Sequence, residues 1–256
     1  MPFTLSHPAA GVPLWPVLRR LGLPLAAVAI GAMSPDFEYF IRLQTLALWG
    51  HSLVGLFVFC LPAGLVVLAG WELLVKDPTL DLLGLSDDRR AVRRDPTWWG
   101  RAVVAILVGA ATHVVWDSFT HAGRWGVRHV AALEAPAASV NGRPLPWFIV
   151  LDHASTILGE VVVVGWVARK MWAAGAFRVI ARSAWRWSVL AALAVTSIVV
   201  GLWNGFRQPS VEGYWSGELW LAQVAVGAQV GLGLAIVAFS AGYRLATSGA
   251  ARPASE

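Results

Sequence analysis

The sequence predicts an all-α, polytopic transmembrane helical bundle, and three observations carry that prediction. Hydrophobic residues make up 57% of the 256 residues and charged residues only 14%, well under the roughly 25% charge of an ordinary soluble domain. Five apolar runs each approach the roughly 20 residues that cross a bilayer core. The chain also holds 15 Trp, a residue that concentrates at the bilayer–water boundary.

Taken in order, the first element is an interrupted stretch, 8–33. Pro13, Pro16, Arg19, Arg20 and Pro24 break it, and neither 8–18 nor 21–33 is long enough to span alone. Two arginines near the centre of a single span would cost several kcal/mol each. The pattern therefore predicts a broken helical hairpin that dips into the membrane and returns. Spanning helices follow at about 51–75, 102–121, 147–168, 187–206 and 218–243. The polar stretches 76–101 and 122–146 read as loops, and 245–256 as a disordered tail of small and polar residues. No fixed-period repeat and no soluble domain is visible. The chain reads as one integral membrane domain over 1–256, with its motifs in 1–165 and two further helices in 187–243.

Charge sets the expected orientation. Loop 76–101 carries Lys76, Arg89, Arg90, Arg93, Arg94 and Arg101, and loop 169–186 carries Arg169, Lys170, Arg178, Arg182 and Arg186. The alternate connections are poorer, with Arg124, Arg128 and Arg143 in one and Arg207 in the other. Basic loops stay in the cytoplasm, so 34–50, 122–146 and 207–217 are expected outside and the C-terminus inside. A pI near 10.1 thus reflects topogenic charge, and membrane lipids rather than nucleic acid are the expected partners. The single Cys60 excludes an intramolecular disulfide and a Cys-rich zinc site.

On that map the ionisable residues fall on one side. His51 opens the first full span from outside. His113, Asp117 and His121 occupy the outer half of the second, in THVVWDSFTH, and Asp152 and His153 enter the third. Asp36 and Glu38, in SPDFEYF, follow the hairpin, which also returns His7 to this side. The steps of four from His113 to Asp117 to His121 share one helix face over about 12 Å. Ionisable groups at such depth face a bundle interior and need partners. A divalent cation, zinc in particular, would satisfy several at once; His113 and Asp117 hydrogen-bonded to each other would be the plainer arrangement. Over 12 Å the three cannot all bind one ion, so His121 is expected beyond ligand distance, or two ions share the string. His129, near Arg124 and Arg128, reads as solvated.

The blocks MPFTLSHPAA, GAMSPDFEYF, HSLVGLFVFCLP, ATHVVWDSFTH and LDHASTILG resemble a family of bacterial integral membrane proteins, domain of unknown function 4184, over most of 1–165. A more distant similarity runs to membrane-bound proteins named as metal-dependent hydrolases, through the proline–aspartate step and the intramembrane His…Asp pair. That resemblance implies Asp36, His51, His113 and Asp117 as metal ligands, and with less force His7, His121 and His153. Asp152 departs from the pattern, where the family carries glutamine.

Together these readings lead to an expected metal-dependent hydrolase of the bacterial plasma membrane, with a His/Asp site at the outer face and an ester or phosphodiester, such as a lipid, as substrate. Glu38 and then Asp152 are the expected proton-transferring groups. Two rivals stand beside it. A haem-binding protein would set His113 opposite His51 or His153, and a transporter or scaffold would use the His/Asp set to relay protons or to pack.

Overall fold

The computed structural model describes residues 4–85, 96–140, 142–207 and 216–250. A 3₁₀ segment, Thr4–Ala10, leads into α1 (Gly11–Arg20) and α2 (Leu25–Met33). Gly22 turns the chain between them at φ +68°, a conformation glycine adopts without strain, and extended Pro24 precedes α2. Thr4, ahead of the first leg, donates its hydroxyl to Asp36, beyond the second, at 2.7 Å. Both ends of the stretch therefore meet, and the expected hairpin is what forms.

A Ser34–Asp36 turn and α3 (Phe37–Arg42) follow. Among the described residues, five helices are long and apolar enough to cross a membrane: α4 (Leu53–Leu82), α5 (Pro96–Thr120), α6 (Trp147–Ala173), α7 (Ala184–Arg207) and α8 (Ser216–Ala250). Each matches a predicted span and most run longer. α4 continues through Lys76–Leu82, and α5 begins at Pro96 rather than near 102. α8 continues to Ala250, so the expected tail is helical over 245–250; residues 251–256 lie outside the described ones, as do Arg89, Arg90, Arg93 and Arg94. The stretch 122–146 is more ordered than a plain loop: it holds a short helix, Trp125–His129, and an antiparallel hairpin of β1 (Pro136–Val140) and β2 (Arg143–Pro146).

The described chain forms two compact units. In the first (residues 1–38, 47–68 and 93–167), α2 lies against α5. Small residues permit the approach: a Cβ on Gly31 would stand 2.2 Å from the Ile106 carbonyl oxygen, and one on Gly109 would stand 2.2 Å from that of Val28. Backbone contact of this kind is how helices associate in lipid, where burial from water supplies no drive. In the second unit (39–46, 69–92 and 168–256), α7 packs along α8. The Asn204 amide donates to the Gln223 carbonyl at 2.7 Å, and Ser197 to that of Ala228 at 2.9 Å.

Candidate metal centre

The α2–α5 crossing has a direct consequence for chemistry. It brings the carbonyl oxygen of Ala32 to 2.6 Å from His113 Nδ1. A carbonyl only accepts, so Nδ1 carries the proton, and Nε2 of the neutral ring presents its lone pair. Imidazoles that bind metals are held in the same way, by their other nitrogen on a carbonyl or carboxylate.

Around His113 Nε2 stand His51 Nε2 at 3.3 Å, Asp117 Oδ2 at 3.4 Å and Asp36 Oδ1 at 3.6 Å. His51 Nε2 is itself 3.3 Å from both carboxylate oxygens. His51 and His113 thus form the shared edge of two triangles, one closed by Asp36 and one by Asp117. Zinc with ligands near 2.0–2.1 Å in a tetrahedron separates them by about 3.3–3.4 Å, close to every one of these edges.

His7 completes the group from the N-terminal segment. Its ring stacks on that of His113 with centroids 3.6 Å apart, and its Nε2 faces Asp117 Oδ1 at 3.8 Å. Both of these buried atoms lack a hydrogen-bond partner among the described residues. Two polar atoms facing each other just beyond hydrogen-bond reach leave room for a cation between them. His7, His113 and Asp117, and likewise Asp36, His51 and His113, are grouped closely enough to hold an ion.

Each side chain is placed by local structure. Proline at 35 opens the short turn that presents Asp36, and the Thr4 hydroxyl occupies Oδ2, which leaves Oδ1 for the imidazoles. The Ser52 hydroxyl accepts from Gly55 N–H and caps α4 immediately after His51. The approach to His51 is fixed by Glu38, whose carboxylate accepts from the backbone N–H groups of Leu48, Trp49 and Gly50 at 2.9, 2.7 and 2.6 Å. Arg124 donates to the His51 carbonyl at 3.2 Å.

Electrostatics follow from this crowding. Burial, reinforced by the neighbouring His113, pulls the pKa of His7 down to about 3, despite the opposing carboxylates. Burial also works against a charge on His51, but hydrogen bonds to Asp117 and Asp36 outweigh it and raise its pKa to about 9. Asp36 is likewise buried, and the imidazoles of His113 and His51 nevertheless hold its carboxyl below the usual range. Neutral His7 is therefore available as a donor of electrons, and the two carboxylates offset positive charge at the centre.

The predicted residues separate clearly. His7, Asp36, His51, His113 and Asp117 come together. His121 stands outside, its Nδ1 3.0 Å from the Thr120 hydroxyl and 3.8 Å from Asp117 Oδ2; burial lowers its pKa, with Asp117 and Asp152 opposing. Asp152 is buried near it, on the face of α6 that also buries Gly159. His153 is on the exposed face of α6, its Nδ1 2.8 Å from the Ile149 carbonyl. Glu38 supports the 48–50 backbone. His129 is exposed and stacked on Trp125. Thr4, the Ala32 carbonyl and Arg124 were not foreseen as parts of the site; for Thr4 the only signal was its place in the block that also holds His7.

No curated protein and no solved structure matches the chain. A family model does, over residues 1–241, almost the whole of the helical region and every residue of the cluster. The chain belongs to the family described as Domain of unknown function (DUF4184).

Proposed function

We propose that the cluster binds a divalent metal ion, zinc foremost, and that the protein is a membrane-bound, metal-dependent hydrolase working at the outer face on an ester or phosphodiester. One observation carries this reading: His113, its Nδ1 committed to the Ala32 carbonyl, turns its Nε2 lone pair toward a second imidazole nitrogen and two carboxylate oxygens at 3.3–3.6 Å. Such a convergence repels itself unless positive charge stands among them, supplied by a divalent ion or, without one, by a proton that His51 shares with the two carboxylates.

When bound, the ion would supply Lewis acidity and bring the pKa of a coordinated water toward neutrality. The chain's own residues would do the rest. Asp36, His51, His113 and Asp117 supply ligand atoms, and Thr4 and Ala32 orient two of them. Asp152 and His121, at the edge of the cluster, would be the groups that move protons. Glu38 is not, because three backbone N–H groups engage its oxygens. Haem ligation fits poorly, since polar atoms lie within 3.6 Å of His113 Nε2, where a porphyrin would have to stand. A proton relay is the second reading, supported by the run of His121, Asp117, His51 and Asp36 at 3.3–3.8 Å.

Elemental analysis of the detergent-purified protein separates the two. Near-stoichiometric zinc, or another divalent metal, is expected in the wild type. His113→Ala and Asp117→Asn should each lose most of it while the protein still inserts, and His129→Ala should keep it. Full retention in both site variants, or no metal in the wild type, would leave the proton relay as the better account.

A further inference from the structure

Beside the His/Asp cluster, with His7 in its wall, lies a cavity of about 530 Å³. Its polar lining is Ser6, His7, Thr112 and Ser155; the rest of the wall is apolar, with Trp116, Leu158 and Val162 among the larger side chains. Along α6 the lining runs from Leu151 to Val162, about 16 Å of helix. Leu158 is 65% exposed, Trp116 39% and Val162 41%, and all three belong to helices that read as membrane spans. The cavity is therefore open sideways, in the direction from which a membrane component would enter.

We infer that this cavity holds the alkyl tail of a lipid whose polar linkage lies at His7, against the candidate metal centre. The location of the headgroup rests on the metal-site reading above; the tail site does not. Three features select this occupant. The volume falls within the usual range for small-ligand sites. A single carbon chain, in van der Waals contact at about 4 Å, fits a hollow of that volume walled by exposed apolar side chains. Finally, His7 is a wall common to cavity and cluster, so a tail seated along α6 delivers its linkage to the ligand atoms. A soluble ester would gain nothing from so long an apolar wall.

The test uses full-length protein in phosphatidylcholine vesicles that contain a phosphatidylcholine with a diazirine in one acyl tail. After illumination, cross-links should concentrate several-fold in peptides containing 112–116 and 151–162 over the exposed face of α7. Ala154→Trp fills the cavity and should abolish that excess. Leu158→Trp should do the same from a position already facing outward, where the larger ring spares the fold. Val199→Trp, 58% exposed on α7 at the wild-type residue, should change nothing. Labelling spread evenly over the apolar helices, or an excess that survives both cavity-filling variants, would overturn the tail site. Metal content is measured on the same samples. Cavity-specific labelling of a metal-free protein would sink the metal centre and leave the tail site, whereas even labelling of a metal-loaded protein would do the reverse.

Discussion

Glu38 stands two residues past Asp36, and in the sequence it looked like the acid nearest the chemistry. Its geometry gives it other work. Three backbone N–H groups of residues 48–50 converge on its two oxygens, and a Cβ on Gly50 would stand 2.4 Å from the Pro35 carbonyl oxygen. The side chain thus pins the chain just ahead of His51 against the turn that presents Asp36. Hydrogen bonds to a charged group contribute about 1.5–3 kcal/mol each, and an amide in place of the carboxylate turns a donor toward donors. Glu38→Gln is expected to lower both the thermal stability and the bound metal of the purified protein. A proton-transferring Glu38 would behave differently, with metal and stability intact and only turnover lost. Metal content and a melting curve on one variant decide between the two. Asp36 shows the same dependence on a neighbour, since without the Thr4 hydroxyl nothing selects which of its oxygens faces the imidazoles. Thr4→Val should therefore weaken metal retention less than Asp117→Asn but more than His129→Ala, read again by elemental analysis.

The helices explain why some of this was legible and some was not. Hydropathy located all five spans, because a bilayer demands length and apolarity that no other pattern imitates. The expense of burying ionisable groups singled out His113 and Asp117, and the family resemblance added Asp36 and His51 to them as metal ligands. What hydropathy misses is the contact between helices. Gly31 and Gly109 read as ordinary small residues in apolar runs, yet their backbone approach at 2.2 Å from a virtual Cβ is what sets Ala32 against His113. The hairpin Pro136–Pro146 was missed for a related reason, since its three prolines and polar tip suggested only a loop. Likewise Asp152 and His153 are neighbours in sequence but project from different faces of α6, one buried and one exposed. α5 offers a test within a single helix. Gly109→Ala forces its methyl into the Val28 carbonyl and should separate α2 from α5, reducing thermal stability and metal content together. Gly100→Ala, with no atom within 4 Å of the new carbon, should be neutral or more stable by about 0.5–1 kcal/mol, the ordinary helix preference for alanine. Equal melting temperatures for the two variants would show that the α2–α5 crossing does not hold the site.

At the scale of the molecule the remaining question is which side of the membrane the cluster serves, and charge supplies the argument. The stretch 169–186 carries five basic residues, whereas the connection between α5 and α6 carries Arg124, Arg128 and Arg143. The richer segment should remain in the cytoplasm, which places the α5–α6 connection, with its β1–β2 hairpin, outside. His51, Asp152 and His121 all lie at or near the ends of α4, α6 and α5 that this assignment puts at the outer surface, and the hairpin of α1 and α2 returns His7 and Asp36 to the same level. Five elements agree on one face although only basic side chains were used to orient them. Alkaline phosphatase, which folds only after export, is therefore expected to be active when fused after Gly142 and inactive when fused after Arg182. The reverse pattern would move the cluster to the cytoplasmic face. Activity from both fusions would mean that α6 does not cross, and the one-sided gathering of histidines and carboxylates would lose its topological meaning even if the metal remained bound.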